Sequence, residues 1–89
     1  MTYLSDQLEA GAGQTFGSAH LVFDADCGEC IVLVKVPELE VPKRMHLHSL
    51  DEIAGAFSVH SQRQWDPVSQ DVARALKFAG AQIRQRGRS

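Results

Sequence analysis

The last third of this chain contains one apolar stripe, and this stripe limits the folds that the chain can adopt. The stripe consists of Val68, Val72, Ala75, Leu76, Ala79 and Ile83. These positions share one face of a helix with 3.6 residues per turn. Asp66 and Pro67 precede them as a carboxylate N-cap and a proline at the first helical position. The pattern predicts one long helix with a single buried side, and that side needs a second layer of structure to cover it.

Two β-type segments earlier in the chain predict that second layer. In "AHLVFD" the period of a strand places Ala19, Leu21 and Phe23 on one face and His20, Val22 and Asp24 on the other. The continuous run "CIVLVKV" is typical of a central strand covered on both faces. Gly28 lies between them, where a tight reversal requires a positive φ angle. We therefore expect a β-hairpin over about residues 16 to 36. "KRMHLH" alternates again and predicts a third strand.

The remaining elements complete an α+β prediction. Ser49 and Glu52 form a capping box that predicts a short helix over about residues 50 to 58. Leu4 and Leu8, one helical turn apart, predict a short N-terminal helix. Because the strands precede the two later helices, we expect a small antiparallel sheet packed by the long C-terminal helix. At 89 residues the chain should form a single domain over residues 1–89, with a mobile N-terminal segment over 1–14 and a basic frayed tail over 84–89.

Charge is distributed unevenly along the chain. Residues 1–42 contain one basic and seven acidic residues, whereas residues 43–89 contain eight basic and four acidic residues. The two halves therefore carry net charges of −6 and +4. A chain with this asymmetry can present surfaces of opposite charge to different partners or to a second copy of itself, so a homodimer is one expectation. The alternative is a solvated surface of uneven charge without a partner.

Cys27 and Cys30 have the spacing of a metal-ligand pair, and His46 and His48 follow at a distance that suits a zinc clip. This set makes zinc the one candidate cofactor. Two alternatives stay open for the cysteines, namely reduced thiols in a turn or a redox-active disulfide. A second grouping joins His20 to His46 and His48, with or without Glu29, as a metal set, a pH-sensitive patch or simply solvent-facing histidines.

The long helix also suggests a surface for another macromolecule. Phe78 lies about 100° from the centre of the apolar stripe and is predicted to be exposed, beside Arg74 and Lys77. Aromatic and arginine side chains are common anchors of protein interfaces. The rim of the hairpin provides a second, acidic patch made of Asp24, Asp26 and Glu29. Trp65, directly before the helix, is expected to cover the core.

Several classes of function are disfavoured by the sequence. Enzymatic activity is not expected, because the chain shows no catalytic constellation and is too short for a large substrate cleft. Neither a membrane-spanning run nor a signal peptide is evident, so we expect a cytoplasmic protein without a membrane partner. "SLDEIAGAFSV" resembles the first helix of a helix-turn-helix, but Ser58 and Gln64 depart from that motif and "HSQRQW" makes the turn too long.

These observations favour a small non-enzymatic regulatory or inhibitory protein that acts by binding another protein. Adaptors and the small inhibitors carried by mobile elements or phages are stand-alone chains of this kind. The alternative is a nucleic-acid-binding domain that uses the basic C-terminal half, with or without the zinc clip.

Overall fold

The computed structural model describes residues 11, 13–25, 28–36 and 40–87, which form a four-stranded antiparallel sheet followed by two helices. The elements are β1 (Gln14–Phe16), β2 (Ala19–Asp24), β3 (Glu29–Val34), β4 (Lys43–Leu47), α1 (Leu50–Ser61) and α2 (Pro67–Gly87). The α+β prediction is confirmed. The N-terminal helix predicted around Leu4 and Leu8 lies outside the described residues.

The sheet is a meander in which each strand pairs with the next one along the chain. Leu21 is paired with Val32, and Val32 with Met45, so these side chains lie in one row on the same face. We call this the helix-facing side, because Leu21 and Val32 belong to the same buried cluster as Ile53 of α1 and Leu76 of α2. Side chains one position along each strand point to the opposite, outer face.

The sequence predicted one strand before Gly28, whereas the structure has two, β1 and β2, which form a hairpin of their own. β1 and β2 are joined by Gly17 and Ser18, since Phe16 pairs with Ala19. Gly17 has a φ angle of 59°, which suits the first central position of a type II′ turn. The Ser18 N–H donates to the Asp71 carboxylate at 2.9 Å, and this bond fastens the turn to α2. The predicted reversal at Gly28 is confirmed, with a φ angle of 75°.

Both helices begin at the caps that the sequence indicated. The Glu52 N–H donates to Ser49 Oγ at 3.2 Å at the start of α1. At the start of α2, the N–H of Val68 donates to Asp66 Oδ1 at 3.1 Å. Each cap satisfies a backbone donor that has no partner inside the helix.

The helix α2 extends further than predicted. It continues through Gly87, so Arg84 and Arg86 lie within it, whereas fraying was expected from residue 84. Helical hydrogen bonding over the last turn, with cations near the helix C-terminus, is the favourable arrangement for the helix dipole. Residues 88 and 89 lie outside the described part of the chain. Over the residues that are described, neither helix is long and apolar enough to cross a bilayer.

The centre of the sheet is buried on both faces. The main core is formed between the helix-facing side and the two helices. Val22 and Ile31, which lie on the outer face, form a second small buried cluster against which Leu33 packs. This burial explains why β3 is apolar at each position from Cys30 to Val34 rather than at alternate positions.

Candidate functional site

The structure gives Phe78 a different position from the one predicted. Its ring centroid lies 5.7 Å from that of Phe16 and 5.8 Å from that of Phe23. Phe78 is partly buried and packs against the main core. The predicted exposure of Phe78 is therefore wrong, because β1 and β2 extend around the side of α2 on which this ring lies.

The two basic residues predicted beside Phe78 have different environments. Arg74 forms an ion pair with Asp71, the same carboxylate that accepts the N–H of Ser18. Its charge is therefore offset within the molecule. Lys77 is exposed and takes part in neither of the ion pairs found among the described residues, which are His46 with Glu29 and Arg74 with Asp71. Of these two basic residues, Lys77 is therefore the one whose charge is not paired with a carboxylate among the described residues.

A groove between α1 and α2 brings Lys77 together with residues that the sequence reading did not connect. The groove has a volume of about 150 Å³ and is lined by Ile53, Ala54, Phe57, Leu76, Lys77, Gly80 and Arg84. We call it the interhelical groove. Its floor is apolar, and Lys77 and Arg84 stand at its mouth two helical turns apart.

Gly80 explains why a groove exists at this point. A Cβ placed on Gly80 would lie 3.8 Å from Cγ2 of Ile53, so the missing side chain leaves a depression above Ile53. The sequence predicted Arg84 to lie in a frayed tail and in the basic C-terminal half, and it did not connect Arg84 with α1. A glycine inside the stripe, one turn before an arginine, was the available signal, but sequence alone could not show which face of α1 lies opposite.

Trp65 also differs from the prediction. Its side chain is 79% exposed rather than covering the core. The turn between the helices is closed instead by polar groups. Ser69 Oγ donates to Asp66 Oδ2 at 3.0 Å, and the Gln70 side-chain amide donates to the carbonyl of Arg63 at 3.0 Å. With these bonds in place the turn does not require the indole ring.

Cys30 lies in the main core and not at a turn surface. Its side chain is completely buried, and burial raises the pKa of the thiol from its ordinary value of 9.0 to about 12. A thiol in that state is a poor nucleophile and a poor metal ligand at neutral pH. Cys27 and Asp26 lie outside the described residues.

The predicted zinc clip is not brought together as a set. Cys30 is paired with Leu47 and lies on the helix-facing side, whereas Ile31 is paired with His46 on the outer face. His46 and His48 therefore project from the opposite side of the sheet to Cys30. Of the three proposed ligands that the structure describes, the two histidines share a location and Cys30 does not.

His46 and His48 instead meet Glu29 on the outer face. The imidazole rings are stacked with centroids 4.1 Å apart, and His46 Nε2 lies 3.0 Å from Glu29 Oε2. One ligand atom from each of the three residues lies within 4.8 Å of the others. We call this group the outer-face triad. His20, which the sequence grouped with these histidines, instead contacts Thr15 Oγ1 through Nδ1 at 3.1 Å.

The acidic hairpin rim coincides partly with the triad. Asp24 pairs directly with Glu29 across β2 and β3, and both side chains are partly buried. The Glu29 carboxylate also contacts His46 Nε2 at 3.0 Å, so this member of the predicted acidic patch belongs to the triad as well.

Comparisons with known proteins identify no relative of this chain: no family model, no curated protein and no solved structure matches it.

Proposed function

We propose that this protein is a small non-enzymatic regulatory or inhibitory module that binds an acidic amphipathic segment of another protein. The observation that carries the proposal is the interhelical groove, whose apolar floor lies beside the charges of Lys77 and Arg84. An apolar side chain of the partner would enter the groove, and flanking carboxylates would contact the two cations. This is the helix-in-groove mode of peptide recognition.

The dimensions of the groove favour a side-chain anchor over a small-molecule substrate. Pockets that bind drug-sized ligands have volumes of about 300–1,000 Å³. The interhelical groove, at about 150 Å³, is smaller than this range. Binding of one or two apolar side chains within a larger contact fits its size better.

Charge supports an acidic partner. Lys77 and Arg84 are exposed, and neither belongs to an ion pair between described residues. Exposed cations at the rim of an interface accelerate association with an oppositely charged partner and make it salt-dependent. Arg74, which the sequence placed in the same contact set, contributes less because Asp71 neutralises it.

The test begins with affinity capture of the tagged protein from its native cell extract, with and without nuclease, followed by mass spectrometry. The captured partner is then purified and its affinity measured for four proteins: the natural sequence, the Lys77→Glu/Arg84→Glu double variant, Ala54→Phe and Arg44→Glu. Ala54 is exposed at the groove mouth, so phenylalanine there fills the groove without entering the core. Arg44→Glu reverses one exposed charge on the outer face of the sheet, away from the groove, and is the control for charge reversal as such.

The proposal predicts that the double variant and Ala54→Phe each weaken binding at least about tenfold, while Arg44→Glu binds normally. Unchanged affinity in both groove variants would contradict it. Recovery of nucleic acid, or of proteins lost on nuclease treatment, would replace it with the nucleic-acid-binding alternative. In that case affinity for a mixed DNA and RNA pool should fall steeply with salt.

A further inference from the structure

We propose that the outer-face triad, Glu29, His46 and His48, binds a divalent transition-metal ion of the zinc class. The triad lies on the outer face of the sheet, whereas the interhelical groove is formed by α1 and α2, so the two proposals are independent. The ligand set also differs from the cysteine-containing set that the sequence suggested.

The backbone places these three side chains together. His46 and His48 are two positions apart around the end of β4, so both project from the same face. Glu29 begins β3, one position before Cys30, whose partner is Leu47. It therefore lies across from His48 and diagonal to His46, on the same face as both. The three ligand side chains therefore come from neighbouring positions of one β3–β4 pair, and they can reach a common ion without a change in the backbone.

The distances are close to those of a coordinated ion. Zinc bonds to imidazole nitrogen and carboxylate oxygen are about 2.0–2.2 Å long, so tetrahedral ligand atoms lie about 3.3 Å apart. His46 Nε2 and Glu29 Oε2 are already 3.0 Å apart, and no pair among the three ligand atoms exceeds 4.8 Å. His48 is exposed, so its ring can rotate by the remaining distance without disturbing the core.

Donor chemistry selects the class of ion. Two imidazoles and one carboxylate form a ligand set that zinc uses in proteins, with a fourth position left for solvent. Calcium and magnesium prefer oxygen ligands, whereas imidazole suits zinc, copper and nickel.

Two acidic residues and one basic residue are neighbours of the triad. Asp24 is paired with Glu29, and the Glu52 carboxylate accepts the N–H of His48 at 3.4 Å. Arg44 lies two positions before His46 on the same strand, and its positive charge repels a cation. The two carboxylates outnumber this single guanidinium, which is exposed to solvent.

The experiment titrates the untagged protein with Co²⁺, a spectroscopic probe for zinc sites, and with Zn²⁺ by calorimetry. The variants are Glu29→Gln, His46→Gln, His48→Gln and a matched control, His20→Gln, which removes a histidine from the same sheet face outside the triad. Melting temperatures measured in chelator show whether each variant is folded. A Cys27→Ser variant removes the thiol that lies outside the described residues.

We expect one equivalent of metal per chain, with affinity reduced more than about tenfold by each triad substitution and unchanged by His20→Gln and Cys27→Ser. Binding should also weaken on acidification, because imidazole binds a metal only when unprotonated. The Co²⁺ complex should lack the intense thiolate charge-transfer band. A thiolate band, binding that survives the triad substitutions, or no saturable binding at micromolar protein would each overturn the proposal.

Discussion

Phe78 and Trp65 show how the surroundings of a single residue decide its role. Phe78 lies off the centre of the apolar stripe, yet Phe16 and Phe23 cover it. Trp65 is the largest side chain in the sequence, yet it is exposed because hydrogen bonds already close its turn. The position of a residue around the helix axis gives the direction in which its side chain points. The neighbouring strands determine whether that side chain is exposed or covered.

Replacing Phe78 by Ala should therefore lower the free energy of unfolding by about 2–4 kcal/mol, because the aromatic cluster would lose its central ring. Trp65→Ala is the comparison and should change it by no more than about 0.5 kcal/mol. Urea unfolding monitored by circular dichroism measures both. Equal destabilisation by the two substitutions would show that the indole also belongs to the core.

At the level of elements, the β1–β2 turn links sheet and helix through one carboxylate. Asp71 of α2 accepts the N–H of Ser18 and also forms an ion pair with Arg74. The turn passes so close to Asp71 that a Cβ on Gly17 would collide with the carboxylate. Gly55 in α1 is different, because a Cβ there would meet no atom within 4 Å apart from its chain neighbours and the backbone of its own helix.

Gly17→Ala should destabilise the protein by about 1–3 kcal/mol, through strain at a positive φ angle and displacement of Asp71. The same substitution at Gly55 should stabilise the protein by about 0.5–1 kcal/mol, since alanine has the higher helix propensity. Thermal or urea unfolding of the two variants measures both changes in stability. A neutral Gly17→Ala would show that the turn can move away from α2.

At the level of the whole molecule, stability should depend on pH through His60. Its Nδ1 lies 3.3 Å from Ser69 Oγ, next to the cap of α2. Burial lowers the pKa of this imidazole from its ordinary value of 6.5, and the charges of Arg63 and Lys43 act in the same direction, with Asp66 opposing them. Protonation therefore favours the unfolded chain, in which the imidazole is solvated.

The coupling between His60 protonation and unfolding sets the sign of the pH dependence. Because the pKa is lower in the folded state, the stabilisation is present above pH 6.5 and is lost as the pH falls through the folded-state value. His60→Gln should make the decline of the unfolding free energy between about pH 7 and pH 5 shallower. Urea titrations across that range compare the two proteins. An identical pH profile would contradict a contribution from His60.

Local signals were sufficient for most of the fold. Ser49 and Asp66 cap the helices, and Gly28 has the positive φ angle that its position in the hairpin requires. The division of β1 from β2 was missed, although Gly17 and Ser18 are a two-residue hairpin signal. For the candidate sites, the sequence grouped Glu29 with His46 and His48, but it also included His20 in that group. It indicated Lys77 but not the residues of α1 that line the groove beside it.

The sequence by itself determined the α+β class, the helix caps, the periodicity of the strands and the second hairpin, because each depends on residues close together in the chain. Tertiary structure decided which distant residues meet. It placed Cys30 in the core and the two histidines on the opposite face, brought Glu29 to them, and set Gly80 against Ile53 to form the groove. These contacts depend on strand register and on the packing of the helices on the sheet, and neither is specified by the local pattern alone.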